Sequence, residues 1–230
     1  MAQIDFQRRE IAVKLVYYGP ALSGKTTNLQ ALHARLDPRR RGHLLTLDTK
    51  DDRTLYFDLL PLSVKSQTGV TVKVKLFTVP GQVIHNTTRR LVLQQCDGVV
   101  FVADSRITQT AANNESFVNL KQNLRENGID PAAIPIVIQF NKRDLPGIRS
   151  DADLARLAAR GKEPVYAAVA MSGQGVAETF LGLAAATWDS LEKKLGLGSS
   201  HGVGKDELLG SLSGQLGVGK QAPTGVGGAR

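Results

Sequence analysis

A chain of 230 residues, 42% hydrophobic and 22% charged, is long enough for one α/β domain with a sizeable core, or for one domain and a tail. Its net charge of +8 is dispersed. The densest basic run, Arg39-Arg40-Arg41, has no interleaved aromatic residues, which excludes an obvious nucleic-acid surface. No window reaches the roughly 18 apolar residues of a membrane helix, residues 1–10 lack an apolar signal core, the C-terminus has no cysteine lipidation box, and the single Cys96 cannot form an internal disulfide. A cytoplasmic address without an integral membrane segment is the expectation.

In chain order, residues 11–18 form the first strand candidate, and residues 26–36 have helical periodicity. Val70, Val72, Val74 and Leu76 alternate with Thr71, Lys73 and Lys75, as in a half-exposed strand. Residues 98–103 and 134–140 are continuous apolar runs, which suit parallel strands buried on both faces. Residues 111–127 read as a helix stopped by Gly128, and residues 176–195 as a final amphipathic helix. Alternating strands and helices predict an α/β fold with a mostly parallel central sheet and helices on both faces. Residues 196–230 carry 11 of the 23 glycines and no aromatic residue. They read as a flexible tail beyond a 1–195 domain, and a chain ending near 195 is expected to fold and melt like the whole. Within that tail, leucines at 208, 209, 212 and 216 approach helical spacing, but Gly210 and Gly214 weaken any isolated helix. Disorder, or a helix formed only on a partner, are the two readings.

The strongest chemical signal is Gly19-Pro20-Ala21-Leu22-Ser23-Gly24-Lys25-Thr26. This is the G-x-x-x-x-G-K-[ST] pattern between a strand and a helix, which is the context a phosphate-binding loop needs. Its glycines let successive N–H groups face one anion, and the helix N-terminus adds its positive dipole end. Gly19, Ala21, Leu22, Ser23, Gly24, Lys25, Thr26 and Thr27 therefore form the expected phosphate cradle. Lys25 would reach the β- and γ-phosphates, and the Thr26 hydroxyl would ligate Mg²⁺. Asn141-Lys142-Arg143-Asp144 follows an apolar run, so it lies at a strand's C-terminal end, where ligands bind in such sheets. One carboxylate, Asp144, can accept both the N1–H and the 2-amino donors of guanine. Adenine lacks that pair and would leave the carboxylate unmatched. Asn141 and the Lys142 stem would support the base.

Between these motifs lies Thr78-Val79-Pro80-Gly81-Gln82. Gly81 can approach a γ-phosphate, and Gln82 can position an attacking water. Small GTPases usually read Asp-x-x-Gly-Gln here, so Thr78 leaves the carboxylate behind Mg²⁺ missing. Asp48, Asp51, Asp52 or Asp58 could replace it, and the sequence does not choose among them. The segment 52–58 lies where a first switch loop belongs. Thr54 is the candidate to close over Mg²⁺, ahead of Thr46 and Thr49. Arg53 is either an arginine finger in cis or a surface arginine paired with Asp51 or Asp52.

These motifs, with Asp52-Arg53-Thr54-Leu55 and 97–104, together resemble the bacterial mutual gliding-motility protein A (MglA) family, Ras-like P-loop small GTPases of cell polarity and motility. The resemblance spans about residues 5–195. It implies a GTP/GDP- and Mg²⁺-binding, slowly GTP-hydrolysing switch, with Gln82 and Arg53 as the catalytic pair and Thr26 and Thr54 as metal ligands. It further implies Ala170 and Met171 in the loop whose backbone reads the guanine carbonyl. A Roadblock/longin-type (MglB-like) activating dimer that supplies no finger, polarity and motility effectors, and recruitment to a cell pole are the implied partners and placement. Ala21 departs from the family's glycine and would crowd the space beside the γ-phosphate. A GTP-locked scaffold, or a relative with another cellular role, is therefore the alternative. An ATP-using P-loop enzyme is opposed by residues 141–144.

Overall fold

The computed structural model describes residues 2–37, 43–47, 57–82, 85–219 and 225. Among these, eight strands form one sheet. The elements in chain order are β1 (Gln3–Asp5), β2 (Glu10–Tyr18), α1 (Lys25–Arg35), β3 (Leu45–Leu47), β4 (Phe57–Lys65), β5 (Thr71–Thr78), α2 (Asn86–Leu93) and β6 (Gly98–Asp104). They continue with α3 (Thr110–Glu126), β7 (Ile136–Asn141), α4 (Asp151–Arg160), β8 (Val165–Ala167), α5 (Val176–Leu195), α6 (Leu197–His201) and α7 (Lys205–Gln215). The order across the sheet is β3-β4-β5-β2-β6-β7-β8, with β1 flanking β2. β5, β2, β6, β7 and β8 run parallel, while β4 and β3 add an antiparallel extension.

Side-chain period explains the layering. In β2, Ile11, Val13, Leu15 and Tyr17 face one core, whereas Val16 and Tyr18 face the other. The first core is closed by Leu29 and Leu32 of α1, by α5, and by Leu208 and Leu212 of α7. The second is closed by Val92 and Leu93 of α2, Leu120 and Leu124 of α3 and Leu154 of α4. β6 is buried at every position, as its unbroken apolar run predicts. β5 buries Val72, Val74 and Leu76 and turns Thr71, Lys73 and Lys75 outward. β4 buries Leu60, Leu62 and Val64 by the same period. Its Pro61 lies beyond the reach of β3, which pairs only with Phe57–Leu59, so the missing N–H falls where one side of the strand is open.

The flexible tail expected from residue 196 does not describe residues 196–219. α5 ends on Gly196 in the left-handed conformation, φ 59°, and α6 and α7 fold back beneath it. Leu197, Val203, Leu208, Leu212 and Leu216 are all buried in the first core. Lys205 Nζ pairs with Asp189 at 2.6 Å, and Gln215 Nε2 donates to the Ser63 carbonyl of β4 at 2.9 Å. The glycine count misleads because nothing lies within 4 Å of a Cβ placed at Gly210 or Gly214. The glycines face outward while the leucines share the inner face. Each glycine costs a helix about 1 kcal/mol, and each buried leucine returns roughly 1.5–3 kcal/mol. Residues 220–224 and 226–230 lie outside the described residues. No helix of the described residues is long and apolar enough to cross a membrane.

Candidate functional site

The phosphate loop connects β2 to α1, with Gly19 at φ 149° and Gly24 at φ 99°, conformations that favour glycine. Both also need the missing Cβ. A side-chain carbon at Gly19 would run into the Val102 carbonyl, and one at Gly24 into the Asn141 side-chain amide. Leu22 adopts φ 59°, uncommon for a branched residue, with its side chain 88% exposed over the cleft. The first turn of α1 is fixed from behind by a buried amide pair. Asn28 Nδ2 donates to Gln139 Oε1 at 2.8 Å, and Gln139 Nε2 donates back to Asn28 Oδ1 at 2.9 Å. Asn28 Nδ2 also reaches the Gly24 carbonyl at 2.9 Å.

A cleft of about 480 Å³ opens at this loop, lined by Leu22, Gly24, Lys25, Thr26, Thr27, Asp58 and the stretch 78–81. Lys25 is buried and donates to the carbonyls of Gly19 at 3.1 Å and Pro20 at 2.7 Å. Burial, reinforced by the nearby Arg89 charge and only partly offset by Asp58, pushes its ammonium down to about 7. At the cleft mouth the Thr26 hydroxyl donates to Asp58 Oδ2 at 2.6 Å. The Thr78 hydroxyl donates to the same oxygen at 2.9 Å, and the Asp58 N–H donates back to that hydroxyl at 2.9 Å. The neighbouring strands β4 and β5 thus place a carboxylate from one and a threonine from the other against the helix-opening threonine.

The second motif ends β7. Asn141 Nδ2 donates to the Ser23 carbonyl at 2.8 Å, and Asn141 Oδ1 accepts from the Ala170 N–H at 2.9 Å. One buried amide therefore ties the phosphate loop to the 170–175 loop. Lys142 sits at φ 66° with its ammonium 2.7 Å from Asp104. Burial alone would raise the Asp104 carboxyl, but hydrogen bonds from Arg106 and Lys142 outweigh it and hold it down at about 2. Asp144 is exposed, as is Met171, at 84%.

No family model matches the chain. It is, however, 46% identical over 193 residues to the mutual gliding-motility protein MglA of Myxococcus xanthus (strain DK1622), an alignment covering 84% of this chain and 99% of that protein. The chain belongs to the MglA family. The parallel sheet with its antiparallel extension and helices on both faces accords with the small-GTPase fold of that family.

Within this MglA-family fold, Gly19, Ala21, Leu22, Ser23, Gly24, Lys25, Thr26 and Thr27 form one loop-and-helix start, with Gly81 packed against Ala21. Asn141 joins that loop directly and Ala170 joins it through Asn141, and Lys142, Asp144 and Met171 flank them. Gln82 is exposed beside Gly81. Arg53 and Thr54, with the alternatives Asp48, Thr49, Asp51 and Asp52, lie outside the described residues. Of the four aspartates the sequence left open, Asp58 is the one among the described residues, and it touches Thr26 and Thr78. One residue gave no sequence signal. Arg89 of α2 is fully buried against the phosphate loop, although an arginine on a short amphipathic helix reads as solvated surface.

Proposed function

We propose that this chain binds GTP and GDP with Mg²⁺ and hydrolyses GTP slowly, as a partner-controlled switch in the polarity and gliding or pilus motility of a bacterial cell. The observation that carries this reading is the Thr26–Asp58–Thr78 cluster at the mouth of the phosphate loop. It restores a carboxylate next to the Mg²⁺-ligating threonine, at the point where Thr78 removes the usual one. Hard oxygen donors at a partly buried site suit a small divalent ion, so these residues fit Mg²⁺. Bound there, Mg²⁺ would supply charge neutralisation across the phosphates. Thr26 and Thr54 are the residues to ligate it, with Asp58 orienting the Thr26 hydroxyl.

The remaining roles follow from position. The backbone N–H groups of 19–26 and the Lys25 ammonium hold the phosphates. Gln82, next to Gly81, orients the attacking water, and Arg53 neutralises charge that develops toward the leaving phosphate. Asp144 accepts the two guanine donors. The Ala170 N–H is taken by Asn141, which leaves the neighbouring Met171 amide to meet the guanine carbonyl. The family name borne by the Myxococcus protein supports the motility role. A Roadblock/longin-type dimer is the proposed activator, acting on a cytoplasmic protein drawn to a cell pole. Competition against a fluorescent GDP tests the base assignment. GDP should displace it and ADP should not, and Asp144→Asn should shift preference toward xanthosine diphosphate. Loss of the paired guanine contacts should cost on the order of 1–3 kcal/mol, by analogy with base-edge recognition. Equal GDP affinity in Asp144→Asn would place the base elsewhere.

A second reading is favoured by one contact. Gly81 packs so closely on the Ala21 backbone that no Cβ would fit between them, and Ala21 carries a methyl that the family's glycine lacks. A GTP-locked scaffold is the consequence if that methyl displaces the water. Single-turnover hydrolysis with and without the Roadblock-type dimer separates the two.

A further inference from the structure

Arg89 is the largest fully buried side chain among the described residues. Its guanidinium is spent on carbonyls and neutral side chains from three separate elements. Nε donates to the Pro80 carbonyl at 2.9 Å. Nη2 donates to the carbonyls of Gly81 at 3.1 Å and Gly19 at 3.2 Å, and lies 3.4 Å from Ser116 Oγ. Nη1 donates to Asn119 Oδ1 at 2.7 Å. The guanidinium carbon also lies 4.7 Å from the centre of the Tyr18 ring. Asn119 is itself fixed, accepting from the Tyr18 hydroxyl at 2.5 Å and donating to Asn86 Oδ1 at 3.1 Å. Glu115 favours the Arg89 charge through space, but no ion pair among the described residues joins Arg89 to a carboxylate, and burying a guanidinium held only by neutral groups is costly. An apolar side chain of similar volume would close the same space between α2 and α3. What an apolar chain could not do is join the carbonyl of the first phosphate-loop glycine to the two carbonyls that precede Gln82.

We propose that Arg89 is a positioning residue, a buried strut that holds the 80–82 segment against the phosphate loop. It thereby couples occupancy of the γ-phosphate position to the placement of Gln82. This rests on the guanine-nucleotide reading above. The planar fork is what the role requires, since three nitrogens in fixed geometry reach three elements at once, which an ammonium cannot copy. Gly81 is where the coupling is felt. Its backbone is pressed onto Ala21 and lies near the Lys25 ammonium, so an anion seated beyond the β-phosphate meets a Gly81 held by Arg89. GDP ends short of that position.

The test compares the full chain with Arg89→Lys, Asn119→Ala and Ser116→Ala, measuring binding of GDP and of a non-hydrolysable GTP analogue. Couplings between sites commonly amount to ~5–150-fold, so GDP affinity should stay within about threefold while analogue affinity falls by about tenfold in Arg89→Lys and less in the α3 variants. Amide hydrogen exchange over residues 79–82 should quicken in the same order. A residue that merely fills the core would lower the melting temperature and leave the analogue-to-GDP ratio unchanged, and that result overturns the proposal. If Arg89→Lys does not fold, the Asn119→Ala ratio decides. If the unmodified chain binds no guanine nucleotide, the function proposed above fails. The strut is then judged by exchange at 79–82 in the nucleotide-free proteins, where equal rates in all variants would overturn it.

Discussion

At the scale of single residues, the site is built from groups whose ordinary behaviour is altered by burial. Lys25 is the clearest. Burial first, and the Arg89 charge second, bring its ammonium from 10.5 to about 7. Without nucleotide the lysine is therefore about half charged near neutrality, whereas against phosphates the charged form is favoured. The sign follows from this difference. The bound state holds the proton and the free state releases it above pH 7, so nucleotide binding takes up a proton. Affinity should be insensitive to this group well below pH 7 and should weaken as pH rises above it. Calorimetric titration with GDP, repeated in buffers of different ionisation enthalpy, should give an uptake of about half a proton at pH 7, rising toward one near pH 8.5. No uptake across that range would mean that Lys25 is fully charged before the nucleotide arrives. Asp58 shows the same dependence on surroundings in its role. In sequence it is one of several aspartates, and only the pairing of β4 with β5 brings it to Thr78.

At the scale of elements, the α6–α7 segment completes the first core instead of trailing from it. The inner face of α7 carries Leu208, Leu212 and, just past its end, Leu216, against α5 and β4. Removing everything after residue 195 would expose that face and the side chains it covers. Such a chain should lose several kcal/mol of stability, at roughly 1.5–3 kcal/mol per buried leucine. The converse substitution is a gain. With open space around Gly210 and a helical backbone, Gly210→Ala should stabilise by about 0.5–1 kcal/mol. Chemical denaturation of the full chain, the variant and the truncation checks both directions. A truncated chain that melts with the full one would mean that α7 contributes nothing to the core. Gly214→Ala should behave like Gly210→Ala, more weakly because it lies in the last turn of the helix.

At the scale of the whole molecule, the parts that were legible in the sequence are those with a local signature. The unbroken apolar run of β6, the alternation of β5 and the spacing of the 19–26 and 141–144 motifs each depend on neighbours in the chain. The parts that were not legible depend on neighbours in space. Asp58 is selected by strand register, and Arg89 reads as surface until α2 is laid against α3 and the phosphate loop. α7 reads as tail until its leucines meet α5. The same long-range geometry links the two motifs, because one set of contacts runs from Asn141 through Ser23, Pro20 and Gly19 to Arg89, Pro80 and Gly81. This set of contacts is expected to serve GTP turnover. Single-turnover hydrolysis of GTP by the purified chain, with and without a Roadblock/longin-type dimer, measures it most directly. Hydrolysis should be slow, the dimer should accelerate it, and most of that acceleration should be lost in Gln82→Ala and in Arg53→Ala. The double variant should be little worse than either single, since both act on one step. GTP bound but not hydrolysed even with the dimer present, or full stimulated turnover in Gln82→Ala, would contradict that role.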